Sequence, residues 1–225
     1  MKISEIFYSL QGEGTLLGVP SVFVRTSGCN LRCVWCDTPY TSWQPEGTEM
    51  TEDEILAAVA QYPARHVVLT GGEPMLFPAA APLCAAFRER GLHITIETAG
   101  TVYRDIACDL MSISPKLANS TPVADTYWSI QHEKLRRQPE AVRQLMGLCD
   151  YQLKFVVTQP TDLAEIEAWA EEVEAPPEKI LLMPEGRNVD ELHQRSLWLA
   201  EACKQHGYRY SPRLHVLLWG DRRGI

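Results

Sequence analysis

The sequence predicts an α/β fold, a partial open (β/α)6-type barrel with parallel strands. Three observations carry this. Apolar strand-like runs alternate along the chain with amphipathic helical runs, the pattern of right-handed crossovers onto a parallel sheet. About six such units fit in the 225 residues, too few for a closed eightfold barrel of roughly 250 residues. Hydrophobic residues make up 45% of the chain and charged residues 22%, which suits a packed core and argues against disorder. No low-complexity linker or composition break interrupts the pattern, so one domain over 1–225 is expected.

The strand candidates, in order, are Ser21–Thr26, His66–Thr70, His93–Glu97, Leu110–Ser114, Gln152–Val157, Lys179–Met183 and Arg213–Leu218. Helical runs lie between most of them. Thr51-Glu52-Asp53-Glu54 reads as a capping box, with Ile55, Leu56 and Val59 as the apolar face that follows. Leu83 and Phe87 anchor a helix that ends near Gly91. Asp162 and Glu165 repeat the capping logic with Asp162 as the cap, and Leu163, Ile166, Ala170 and Val173 share one face. Asn188 caps another helix that ends near Gly207, a residue suited to a left-handed C′ position. Asn119–Gln131 is polar, without clear period, and reads as loop.

The chain carries 21 Lys and Arg against 29 Asp and Glu, a formal net charge of −8. That argues against a generic nucleic-acid binder, which shows a basic face. No apolar run approaches the roughly 18 residues of a membrane span. The start, Met1-Lys2-Ile3-Ser4-Glu5, lacks the apolar core of a signal peptide. A cytoplasmic protein without membrane or nucleic-acid partners is expected. Of seven cysteines, Cys84, Cys108, Cys149 and Cys203 are scattered in mostly apolar patterns and read as small buried hydrophobes.

The other three crowd into Cys29-Asn30-Leu31-Arg32-Cys33-Val34-Trp35-Cys36. In a parallel barrel, chemistry belongs at the carboxyl ends of the strands, and this loop follows the first strand candidate. Structural zinc wants four ligands, and no second Cys or His pair stands by to complete a set. Three thiolates instead hold three irons of a [4Fe–4S] cluster, whereas electron-transfer clusters use four. The fourth iron is then open to a ligand. Thr70-Gly71-Gly72-Glu73-Pro74 follows the second strand candidate. Its glycines allow close backbone approach, and the Glu73 carboxylate either meets a ligand ammonium or stabilises a helix N-terminus.

The spacing C-x3-C-x-aromatic-C resembles the signature of the radical S-adenosylmethionine enzymes, with Trp35 at the aromatic position expected near the adenine. The resemblance narrows at Glu5-Ile6-Phe7-Tyr8-Ser9-Leu10-Gln11-Gly12-Glu13-Gly14. Together with Val22–Arg25, Cys36-Asp37-Thr38, Thr70–Pro74, Glu97–Thr101, Ser114-Pro115-Lys116, Leu153–Val156, Leu214-His215 and Trp219–Ile225, that stretch is similar to the 7-carboxy-7-deazaguanine synthase family of queuosine and deazapurine biosynthesis. The resemblance covers nearly the whole chain, with an N-terminal substrate-binding segment ahead of a radical S-adenosylmethionine core.

The family resemblance implies conversion of 6-carboxy-5,6,7,8-tetrahydropterin to 7-carboxy-7-deazaguanine with loss of ammonia. It implies hydrogen abstraction at C6 by a 5′-deoxyadenosyl radical and a ring contraction. A [4Fe–4S] cluster on Cys29, Cys33 and Cys36, S-adenosylmethionine and Mg2+ are the implied cofactors, with Thr38 placing its hydroxyl on Mg2+. By the same match, Leu10, Gln11, Gly12, Glu13, Arg25, Thr70 and the terminal carboxylate of Ile225 are substrate candidates. Trp35, Gly72, Glu73, Ser114, Pro115, Lys116 and Lys154 are cofactor candidates. The implied partners are the pterin, an electron donor such as flavodoxin or ferredoxin, and a second copy in a homodimer.

The residue types suit a flat, polar-edged, anionic substrate. Gln11 offers a donor and an acceptor, Glu13 accepts from amino and ring N–H groups, and Arg25 can pair a carboxylate at two points. Read without the resemblance, Arg25 is also a possible surface ion pair, Thr38 a cap or turn hydroxyl, and Ser114–Lys116 an ordinary turn. Lys154 lies in an apolar strand, where an unpaired ammonium is costly, so it needs a partner or ligand. Glu97 ends a strand facing inward or outward, and His215 and Trp219 are core packing or pocket wall. The rival readings are a glycyl-radical-type activating enzyme, which would bind a large protein partner, and a non-catalytic iron–sulfur or zinc module.

Overall fold

The structure is a computed structural model that describes residues 1–225. In chain order it comprises β1 (Lys2–Leu10), β2 (Pro20–Thr26), α1 (Pro39–Ser42), β3 (Thr48–Glu49), α2 (Glu52–Val59), β4 (His66–Gly71), α3 (Ala80–Glu89), β5 (His93–Thr98) and β6 (Leu110–Ile113). It continues with α4 (Thr126–Arg136), α5 (Pro139–Met146), β7 (Asp150–Val157), α6 (Asp162–Glu172), β8 (Ile180–Pro184), α7 (Val189–His206), β9 (Arg209–Tyr210) and α8 (Leu214–Trp219). One nine-stranded sheet joins all strands in the order β3-β1-β2-β4-β5-β6-β7-β8-β9. From β2 to β9 every neighbour is parallel. The α/β open-barrel expectation holds for that run.

Strand alternation builds both the core and the site. Successive strand side chains face opposite ways. Val22 and Val24, Val67 and Leu69, Ile94 and Ile96, Met111 and Ile113, Leu153 and Phe155, and Ile180 and Leu182 face outward into one buried apolar core. Helix residues Ile55, Leu83, Phe87, Ile166, Trp169 and Leu199 close over them. Each such side chain contributes about 1.5–3 kcal/mol by leaving water. The residues between them, Phe23, Arg25, Thr70, Glu97, Ser112, Lys154 and Met183, therefore line the concave side. A one-residue slip would exchange the two sets, so the apolar core fixes which polar groups point inward.

Local signals set several boundaries as expected. Thr51 and Glu54 form the full capping box on α2. Asn188 caps α7, accepting from the Glu191 amide, and Gly207 ends it at φ 70°. Other expectations are corrected. β1 is a strand the sequence reading passed over, and it pairs antiparallel with β2, so the sheet is not wholly parallel. Arg213–Leu218 is the helix α8, not a strand. A short apolar run has no period that separates the two, and here only Val216 is buried in the helix.

Asn119–Gln131 is not all loop, because Asp125 caps α4 through the Trp128 amide. The buried residues of α4 are His132 and Arg136, both polar, so no apolar stripe announces the helix. Asp162 is the first residue of α6 and not its cap. Its carboxylate instead takes the amides of Thr158 and Gln159 at 2.8 and 3.2 Å and closes the turn before the helix. Of the scattered cysteines, Cys84, Cys108 and Cys203 are buried, whereas Cys149 is half-buried with its Sγ 2.9 Å from that of Cys108.

Candidate active site

The carboxyl ends of the parallel strands surround a cavity of about 400 Å3. All the site residues singled out from the sequence line it except Glu73 and Pro115. Glu97 also faces it, as does His215, whereas Trp219 does not.

The N-terminal segment after β1 enters the cavity as a tight, cross-braced turn. The Gln11 amide donates to the Val19 carbonyl and the Gly18 amide donates back to Gln11, at 2.8 and 2.7 Å. The Thr15 amide donates to Gln152 on β7 at 2.8 Å. Gln11 Nε2 donates to Glu97 at 3.1 Å, and Thr70 Oγ1 donates to the other Glu97 oxygen at 2.7 Å. The N-terminal segment and strand β4 thus meet on one inward carboxylate of β5. Gly12 is required by packing: a Cβ there would lie 2.1 Å from Nδ1 of His215.

The cysteine loop is held from several sides. The Arg32 guanidinium donates to the Cys29 and Leu31 carbonyls at 2.8 and 2.7 Å and lies over the Trp128 ring at 4.0 Å. The Val34 amide donates to Ser120 O at 2.8 Å, and Trp43 donates to Cys33 O at 3.1 Å. Trp35 donates through its indole N–H to the Asn119 carbonyl at 3.1 Å. Cys29, Cys33 and Cys36 all line the shared cavity. Burial pushes the Cys29 thiol up to about 12 and the Cys33 thiol higher still. Bare thiolates are thus costly there, and a cationic iron group facing the cavity offsets that cost, so the donor set fits a cluster.

The Gly-Gly-Glu-Pro turn serves the loop more than a ligand. A Cβ on Gly72 would stand 2.1 Å from the Gly28 carbonyl, so only glycine lets the turn lie against the cysteine loop. Glu73 is fully buried and turned away from the cavity. Its carboxylate accepts from Thr98 Oγ1 at 2.7 Å, Ala99 N at 2.8 Å and Met75 N at 3.1 Å. These bonds tie the turn to the end of β5. Pro115 likewise stands outside the cavity wall, while its neighbours Ser114 and Lys116 line it. Lys116 Nζ donates to Ser114 O and Oγ at 2.7 and 2.8 Å and sits 5.8 Å from the Trp35 ring centre.

A charged network fills the wall between the N-terminal segment and β7. Glu13 pairs with Lys154 and, at 3.2 Å, with Arg213. Burial opposes ionisation of Glu13, but Lys154 and Arg213 outweigh it and hold the carboxyl well below the usual range. Lys154 has therefore found the partner its apolar strand demanded, and it lines the cavity beside Glu13. Arg213 also holds Asp37, which lies between the last cluster cysteine and Thr38. Arg25 donates through Nε to Glu5 at 2.6 Å, an ion pair after all, yet it lines the cavity and its two terminal nitrogens have no partner.

Thr38 precedes α1 but makes no cap hydrogen bond to it. Its hydroxyl faces the cavity 3.3 Å from the Thr41 hydroxyl, which leaves it lone pairs for a cation. Asp37 and Arg213 were missed by the sequence reading. Asp37 stood inside a quoted motif, and Arg213 was a charge at the head of an apolar run. Arg213 could have been flagged as a buried-charge question.

The Radical SAM superfamily model matches residues 23–120. The chain is 49% identical to the 7-carboxy-7-deazaguanine synthase of Halobacterium salinarum, over 98% of this chain and 91% of that protein. It is 44% identical to the synthase of the same name from Rhodopirellula baltica, over 99% and 88%. Among solved structures it is similar to QueE from Escherichia coli, with a TM-score of 0.70, 25% identity and coverage of 95% and 94%.

Proposed function

Because the chain belongs to the 7-carboxy-7-deazaguanine synthase family of radical S-adenosylmethionine enzymes, we propose that its cavity takes 6-carboxy-5,6,7,8-tetrahydropterin and yields 7-carboxy-7-deazaguanine with loss of ammonia. The observation that carries this is that one cavity is lined by the inward carboxylates Glu13 and Glu97, by Arg25 with its terminal nitrogens free, and by the three cysteines of the loop. Glu97 and Glu13 accept from the amino and ring N–H groups of a pterin edge, with Gln11 offering its amide and Thr70 holding Glu97 in place. Leu10 and Gly12 form the wall beside them. Arg25 grips the substrate carboxylate.

Cys29, Cys33 and Cys36 would hold the [4Fe–4S] cluster that the family implies, which with S-adenosylmethionine would supply radical chemistry for hydrogen abstraction at C6. Around it Trp35, Gly72, Ser114 and Lys116 form the cofactor wall. Thr38 offers its hydroxyl to Mg2+, an ion that keeps much of its hydration and so needs few protein ligands. Ile225 lines the cavity mouth and is a further substrate contact. No helix is long and apolar enough to cross a membrane. A flavodoxin or ferredoxin as electron donor and a homodimeric assembly complete the proposal.

The test is anaerobic turnover by reconstituted enzyme with reductant, S-adenosylmethionine, Mg2+ and 6-carboxytetrahydropterin, read by mass. Deazaguanine acid above a cofactor-free control supports the reading. 5′-Deoxyadenosine without that product keeps the radical chemistry and rejects the substrate.

A further inference from the structure

Two thiols meet at the end of the sheet away from the cavity. Leu110 and Asp150 open the neighbouring parallel strands β6 and β7 and are register partners. Cys108 precedes the one and Cys149 the other, 41 positions apart along the chain. Their sulfurs are unbonded and 2.9 Å apart, within about 1 Å of the ~2.05 Å separation of a disulfide. Neither residue lines the cavity that Cys29, Cys33 and Cys36 share, and the proposed function uses neither.

The pair is asymmetric in the way an exchange reaction needs. Cys108 is only 4% exposed, whereas Cys149 is half-buried. As a thiol, Cys149 donates to the Asp150 carbonyl at 3.2 Å, so the proton between the two sulfurs is that of Cys108. That hydrogen bond and the Met111 amide favour the Cys149 thiolate, against burial and the Asp109 and Asp150 carboxylates. The same contact, with burial, pushes Cys108 well up. The accessible sulfur of greater thiolate character is the one that attacks, and a buried neighbour in contact with it completes the exchange.

The carboxylates nearby are engaged elsewhere. Asp109 Oδ2 accepts from the Ile94 amide at 2.7 Å, and Asp150 Oδ1 accepts from the Tyr151 amide at 2.9 Å and from Lys179. They do not extend the two sulfurs toward the four ligands of a structural zinc site.

We propose that Cys149 and Cys108 form a reversible thiol–disulfide site whose co-substrate is a small disulfide. The Cys149 thiolate attacks one sulfur of that disulfide, forming a mixed disulfide and expelling the first small thiolate. Cys108 gives its proton to that thiolate and attacks Cys149 Sγ. The second small thiolate leaves and takes up the proton that Cys149 had released. Two protein thiols are thus oxidised to one disulfide, and the small disulfide is reduced to two thiols. The bridge ties the amino ends of β6 and β7, apart from the cluster cysteines.

The test adds oxidised glutathione to anaerobic reconstituted holoenzyme. Samples are quenched with N-ethylmaleimide and mapped by mass as unreduced peptides. The wild type should give a Cys108–Cys149 linked peptide that dithiothreitol reverses, with two glutathiones released and iron content unchanged. Cys108→Ser should stop at a single glutathione on Cys149. Cys149→Ser should leave Cys108 modified at least about tenfold more slowly than the wild type bridges. Burial pushes Cys84 and Cys203 up to about 12 and about 11, so both should stay free and serve as internal controls. Absence of the link in the wild type overturns the site. Glutathione on Cys108 in Cys149→Ser, arriving as fast as the wild type bridges, overturns the order of attack. Iron lost in step with bridging overturns its separation from the cluster. The wild-type map requires no variant to fold, so it decides on the site alone.

Discussion

His132 is a fully buried histidine that supports the cysteine loop from behind. Its Nδ1 accepts from the Arg32 amide at 3.1 Å, and a backbone amide can only donate. The neutral ring therefore carries its proton on Nε2 and donates to Ser120 Oγ at 2.8 Å, which in turn donates to Leu117 O at 2.6 Å. A second proton would have to sit on Nδ1, against the Arg32 N–H. Burial pushes the group down to about 4. Glu133 on the same helix favours the charged form, while Arg136 and Lys116 disfavour it.

The sign follows from linkage. The unfolded chain protonates near the ordinary 6.5 and the folded chain only near 4. Falling pH therefore favours unfolding, beginning below about 6.5 and levelling off below about 4; above about 7 the effect is absent. The full gap amounts to ~3 kcal/mol at about 1.4 kcal/mol per pH unit, of which about 2 kcal/mol is lost between pH 7 and 5. That window lies mostly above the range in which paired carboxylates protonate. His132→Gln keeps an amide for hydrogen bonding but cannot gain charge. It should lose about 1–2 kcal/mol at pH 7.5 through poorer bonding, and should lack that 2 kcal/mol of acid sensitivity. Urea unfolding of the reduced apoprotein at pH 7.5, 6 and 5 measures both. Parallel pH profiles for wild type and variant would refute the reasoning, because they would mean that His132 is charged, or free to charge, in the folded state.

Three further outcomes are expected. Cys33→Ala should abolish cluster assembly, read as loss of bound iron and of the charge-transfer absorbance after reconstitution, and all turnover with it. Thr38→Ala should keep iron content and 5′-deoxyadenosine formation but weaken Mg2+-dependent product formation about tenfold; an unchanged Mg2+ requirement would sink the metal assignment. Gly72→Ala forces a Cβ against the Gly28 carbonyl, a contact that must open to form at all. It should cost about 1–3 kcal/mol and lower iron uptake, whereas Gly18→Ala, with open space around it but a φ of +83°, should cost about 1 kcal/mol through backbone strain alone and leave iron uptake intact.

How much of this was legible in the sequence depended on how far apart the determining atoms lie along the chain. Strand patterning is local, so Arg25 and Lys154 could be picked as special on their own strands, whereas Thr70 came only with the family resemblance and whether Glu97 faced in or out needed the register. Capping at Thr51 and Asn188 is equally local and was read correctly. α4 was illegible because its inward face is His132 and Arg136, whose partners are Arg32, Ser120, Lys116 and Glu165 on other segments. Nothing in a polar stretch signals burial when the satisfying groups are elsewhere. The burial of Glu73 was illegible for the same reason: two of its three donors, on Thr98 and Ala99, lie at the end of another strand.

The charged network makes the point most sharply. Lys154 meets Glu13 across 141 positions, and Arg213 meets Asp37 across 176. Lys154, Arg213 and Glu13 are buried together, with the more exposed Asp37 at the edge. Such burial is favourable only when each charge is paired, since a lone buried charge costs several kcal/mol. Removing any one member therefore disturbs the others, and the network ties the N-terminal segment, the strand that bears Lys154 and the loop that ends the cysteine motif to one another. The cysteines and the Gln-Gly-Glu-Gly stretch announce what chemistry is available. The ion pairs decide which of its carboxylates remain free to take part, and that decision is written only in the folded chain.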